Sequence, residues 1–115
     1  MVGEATFRVG VMEVLELLSS SKKQFEYADR LPNISILTEL VCLWFDDIYI
    51  PDNSFKQCFS EEELAAMAAF NTYFEKQYKL LPDHVGIPEL LKNENWQQIM
   101  GQARQTLAIL RREKL

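Results

Sequence analysis

Apolar residues recur along this chain at the three- and four-residue spacing of helices, interrupted by residues that stop helices. From about Glu4 to Leu31, Phe7, Val11, Val14, Leu15 and Leu18 fall on one helical face. Serine hydroxyls compete for backbone hydrogen bonds, so Ser19-Ser20-Ser21 predicts a break, with a short helix beyond it through Phe25 and Ala28. Pro32 biases Leu31 away from helical angles and closes the segment, leaving Asn33 or Ser35 to cap the next helix.

That helix is predicted from about Ile34 to Asp47. Ile34, Leu37, Val41, Trp44 and Ile48 make one stripe, and Leu40 and Leu43 widen it. A helix apolar on most sides belongs at the centre of a fold. Aromatic and β-branched residues from Val41 to Ile50 would also suit a strand, but the Asp46-Asp47 pair inside that run counts against a buried one.

The clearest start signal lies at Ser60. Its side chain can accept from the Glu63 amide while the Glu63 carboxylate accepts from the Ser60 amide, and Phe59 can pack on Leu64 as a staple. Glu61, Glu62 and Glu63 favour the positive end of that helix. Leu64, Met67, Ala68, Asn71, Phe74 and Tyr78 then share one face, with Phe70 and Tyr73 beside it, up to a stop before Pro82. The loop Pro82 to Pro88 carries the only histidine, His84. Pro88 suits the first position of a short turn through Leu91, and Asn93 can cap a last helix striped by Trp96, Ile99, Met100, Ala103, Leu107 and Leu110. Arg111, Arg112 and Lys114 match its negative end. The pattern predicts an all-α protein, a single bundle of four to five helices over residues 1–115.

Composition narrows the roles open to it. A length of 115 residues is one domain's worth. A net charge of −5 disfavours nucleic-acid backbones and anionic membrane surfaces as partners. No stretch approaches the ~20 apolar residues of a bilayer span. Glu4 precedes the first base, so the start does not read as an export signal and the cytoplasm is the expected compartment. Cys42 and Cys58 are expected as reduced, buried thiols.

Catalytic and cofactor signatures are absent from the sequence. There is no G-x-S-x-G, P-loop or G-x-G-x-x-G spacing, and His84 comes after Asp83 in a loop with no nucleophile close in sequence. No cofactor is implied. Asp46-Asp47 is not accompanied by the second acidic helix of prenyl-chain enzymes, and Ala65 stands where an E-E-x-x-E metal helix needs an acid.

Charge placement is more informative. Between Glu39 and Glu63 the chain carries seven acids (Glu39, Asp46, Asp47, Asp52, Glu61, Glu62, Glu63) and one base, Lys56, a local charge of −6. From Arg104 onward, four bases and Glu113 give +3. Asp46 and Asp47 fall at the negative end of their predicted helix, which local energetics disfavour. Tyr49, Ile50, Pro51 and Phe55 lie among these acids. An apolar centre with an acidic surround suits docking on a basic protein. The expected function is therefore a non-enzymatic acidic module, an immunity-type inhibitor or adaptor. Its partner-binding residues are expected to be Asp46, Asp47, Tyr49, Ile50, Asp52, Phe55, Glu61 and Glu62. Two alternatives compete: a small metal-dependent enzyme using Asp46, Asp47, Asp52 and Glu61 to Glu63 around Mg²⁺, and a ligand-binding or self-associating subunit with a pocket lined by Trp44, Phe70, Phe74 and Met100. An ordinary reading also stands, in which Tyr49, Ile50 and Phe55 fold inward as a lid and the acids are its solvated outer face.

Overall fold

The structure, a computed structural model, describes residues 3–30, 35–82 and 86–113. The expectations placed on Leu31, Pro32, Asn33, Ile34, His84 and Lys114 lie outside the described residues. In chain order the elements are α1 (Gly3–Ser19), α2 (Ser21–Asp29), α3 (Ile36–Cys42), a π-helical turn (Leu43–Ile48), α4 (Asn53–Lys56), α5 (Glu61–Tyr78), α6 (Ile87–Lys92) and α7 (Glu94–Glu113). The all-α expectation holds, with no strand among the described residues. Four to five helices was too few: seven α-helices are described. One source of the difference is α4, a single turn too short to show any hydrophobic period.

Three long helices set the frame, with α7 lying along both α1 and α5. Between them Leu15, Leu18, Trp44, Met67, Phe74, Trp96, Ile99 and Leu110 lose all contact with solvent. Trp44, Phe70, Phe74 and Met100, expected to line a pocket, belong to this buried core. Their exposure is 2% or less, with ring centroids 5.0 Å apart for Trp44 and Phe70 and 5.5 Å for Phe70 and Phe74.

The serine run breaks the first helix as expected, with Ser20 capping α2 by accepting from the Lys23 amide. A helix that stops leaves its last carbonyls without intrahelical partners. Gln24 reaches two of them, its Nε2 donating to the carbonyls of Leu17 and Leu18 at 3.0 and 3.1 Å. Its Oε1 accepts from the Trp96 indole N–H at 3.0 Å, and Arg104 donates to the Ser19 carbonyl at 2.9 Å. This is why α2 buries Gln24 completely and leaves Phe25 47% exposed, the reverse of what hydropathy alone suggests.

Other local signals hold. Ser35 caps α3, Asn93 accepts from the Trp96 amide ahead of α7, and both bonds of the Ser60–Glu63 box are present. Pro88 is the second residue of α6, not its first. Cys42 and Cys58 are both free thiols, the first half-buried and the second buried.

Candidate protein-docking surface

The rod that begins at α3 ends at Ile48, close to the predicted Asp47, but its second half is π-helical. The Tyr49 amide donates to the Trp44 carbonyl at 2.8 Å, the five-residue reach of a π-turn. Such turns occur mostly as single insertions in α-helices, frequently at functional sites. Directly after it the Ile50 amide closes back on the Ile48 carbonyl at 3.1 Å, a three-residue turn that redirects the chain toward α4.

Aromatic packing fixes the underside of this turn. Trp44 donates its indole N–H to Asn71 Oδ1 at 3.0 Å, anchoring the turn to α5. Tyr49 stacks flat on Trp44 at 5.1 Å and meets Phe55 edge-on at 5.7 Å. Phe55 in turn packs on Phe7 and Phe59. The opposite side faces water: Asp46, Asp47, Pro51 and Asp52 are exposed, and Ile50 is 49% exposed.

Glu39, Asp46 and Asp47 act on the same neighbours. The Cys42 thiol is pushed up by burial first, then by its hydrogen bond with Asp46 and the charges of Asp46, Glu39 and Asp47. The Tyr27 hydroxyl is likewise pushed up by burial, then by the charge of Glu39, a hydrogen bond with it, and the charge of Asp47. Asp46 and Asp47 lie at the negative end of the rod, while Glu39, in the first turn of α3, adds its charge to the same thiol and hydroxyl. Among the described residues no lysine or arginine forms an ion pair with Asp46, Asp47, Asp52, Glu61 or Glu62.

Three of the acidic-segment assignments change. Phe55 has no exposed surface and holds the lid from inside, so it is not a contact residue. Asp52 remains at the surface but also caps α4, its Oδ1 accepting from the Phe55 amide at 2.9 Å. Glu63, counted with the acidic stretch, is 1% exposed and paired with Arg8 of α1 at 2.8 and 2.9 Å. Burial raises the Glu63 carboxyl, but the hydrogen bonds from Arg8 and the Ser60 amide, with the Arg8 charge, outweigh it and hold it below its ordinary value. The negative surface is thus smaller than the linear charge count, and Glu61 and Glu62 are its exposed members on α5.

Arg8 is the residue that sequence reasoning passed over. It also donates to the Cys58 carbonyl at 3.1 Å and lies over the Phe59 ring at 5.2 Å. A signal existed: Arg8 shares the helical face of Val11, Leu15 and Leu18, and a charge in register with a core stripe needs a buried partner.

The carboxylates of the metal-enzyme alternative do not converge. Among the described residues no three His, Cys, Asp or Glu side chains come together as a group that could hold a metal ion. Nor is any helix among them long and apolar enough to cross a membrane. Compared with known proteins, the chain matches no family model, no curated protein and no solved structure.

Proposed function

We propose that this chain is a non-enzymatic, acidic, all-helical module that docks on a basic partner protein, as an immunity-type inhibitor or an adaptor would. The observation that carries the reading is the charge of Asp46 and Asp47, without an ion pair among the described residues, on an exposed π-turn whose underside is locked by Trp44, Tyr49 and Phe55. Charge at that helix end works against local stability, and rule-breaking of this kind tends to mark function. A turn already rigid before binding also loses little conformational entropy on docking.

In the proposed mechanism the charges of Asp46 and Asp47, with Glu39 on the same rod, speed encounter with a cationic surface. Ile50 and Pro51, with the accessible part of Tyr49, then supply desolvated contact, while Asp52, Glu61 and Glu62 extend the acidic surround. Phe55 supports the contact from below.

The test compares affinity capture from native extract by the wild-type chain and by an Asp46→Lys, Asp47→Lys variant. A partner held by the first and lost by the second supports the reading, and one recovered equally by both defeats it. With the partner purified, the association rate is expected to fall steeply as salt is added, since screening removes the steering.

A further inference from the structure

The corner between α1 and α2 faces α7 across an open groove of ≈ 540 Å³. Lys23, Arg104 and Arg111 line it with a single acid, Glu16, so three bases and one acid give its wall a charge of +2 in a chain of −5. The bases come from elements far apart in sequence, and the fold assembles them. Arg104 is pinned at the corner by its 2.9 Å bond to the Ser19 carbonyl. Glu16 accepts from Lys23 Nζ at 2.9 Å on one oxygen and from Arg111 Nη2 at 3.1 Å on the other. Their effect on it is direct: the hydrogen bond from Lys23, then its charge and the bond and charge of Arg111, hold the Glu16 carboxyl below its ordinary value despite partial burial.

We propose that this groove binds the phosphate group of a small phosphorylated ligand, with Lys23 and Arg111 donating to it. Glu16 ties the two cations side by side and takes one bond from each, leaving their remaining donors to a ligand. An ammonium beside a planar guanidinium fork suits the several acceptor oxygens of a phosphate better than the two of a carboxylate. The wall also includes the exposed Ala108 beside a nearly buried Leu107, and the volume lies in the range of small-molecule sites, so the organic part of the ligand has a small apolar surface to cover. The chain's overall negative charge repels long polyanions but leaves this local field to a compact dianion. The groove shares no residue with the acidic turn, so failure here leaves the docking reading standing, and the reverse.

Titration calorimetry with phenyl phosphate, inorganic phosphate and benzoate at constant ionic strength tests the site. Saturable binding of phenyl phosphate is expected, tighter than inorganic phosphate and tighter than benzoate. The Lys23→Gln, Arg111→Gln variant is expected to bind at least about tenfold more weakly, the effect of losing charge-assisted bonds. Both side chains are more than half exposed, so the variant should retain its helical circular dichroism, and either single substitution provides a milder version. Lys76→Gln, a base on α5 outside the groove, should bind as wild type does. No saturation by phenyl phosphate up to roughly 10 mM overturns the proposal. So does benzoate binding as tightly as phenyl phosphate, or Lys76→Gln weakening binding as much as the double substitution.

Discussion

Two parts of one acidic stretch resolve their charge in opposite ways. At the start of α5, Glu61, Glu62 and Glu63 sit where the helix end is positive, and Glu63 turns inward to meet Arg8. At the end of the π-turn, Asp46 and Asp47 sit where the helix end is negative, exposed and without an ion pair among the described residues. The first arrangement is explained by folding. The second is not, and that difference gives the acidic turn its functional interest. Charge counted along a sequence treats the two alike; only the direction of each helix and the identity of what packs on it separate them.

The sharpest way to break the comparison is to remove the inward partner. Arg8→Met is expected to cost about 3 kcal/mol, because it strands the Glu63 carboxylate in the interior while keeping most of the packing volume. Urea unfolding measures this, and a loss below about 1 kcal/mol would mean that the pair contributes no more than a surface bridge. The pH dependence gives an independent check. Since Glu63 is held below its ordinary value near 4.5, its contribution to stability is fully present above that pH. That contribution is lost as pH falls through the depressed folded value, where protonation frees the carboxyl from its partner. In Arg8→Met the unpaired buried acid favours protonation, so the gap between variant and wild type should begin to narrow above pH 4.5 and go on narrowing as pH falls through the depressed wild-type value. A constant gap from about pH 7 to about pH 3 would place the effect of Arg8 in packing alone.

Periodicity and capping made much of this fold legible. The Ser60–Glu63 box, the Asn93 cap, the serine break and the stripes through Trp44, Phe74 and Trp96 all depend on residues near each other in sequence. What stayed hidden depends on distant ones. Gln24 goes inside because Trp96, 72 positions away, and the carbonyls of a broken helix need its amide. The π-turn has no local pattern of its own; Trp44 reaching Asn71 and Tyr49 folding back on Trp44 accompany it. Of the proposed docking surface, the exposure of Asp46, Asp47 and Ile50 agrees with the sequence reading. Phe55 does not, because an aromatic next to acids reads the same whether it faces in or out.

A smaller effect sharpens the α5 side. Ser60→Ala removes the bond accepted from the Glu63 amide and is expected to cost about 1 kcal/mol, the usual penalty for losing such a cap. The Glu63 carboxylate still accepts from the backbone N–H at position 60 and from Arg8, so the loss should stay well below that of Arg8→Met. Equal losses in the two variants would mean that the cap and the ion pair act as a single unit.

The smallest effect decides the most. Neutralising acids at opposite helix ends should shift stability in opposite directions, each by roughly 0.3 kcal/mol at an exposed site. Glu61→Gln and Glu62→Gln should therefore lower stability slightly, while Asp46→Asn and Asp47→Asn should raise it. The gain comes from relief of the repulsion between these carboxylates and the carbonyls at the rod's end. Combining the substitutions within each pair brings the differences within reach of replicate urea curves. If Asp46→Asn, Asp47→Asn instead loses more than about 1 kcal/mol, these acids hold the π-turn together, and their placement no longer calls for a partner. If the neutral variant is more stable and yet loses a partner that the wild-type chain binds, stability has been given up at this turn for recognition.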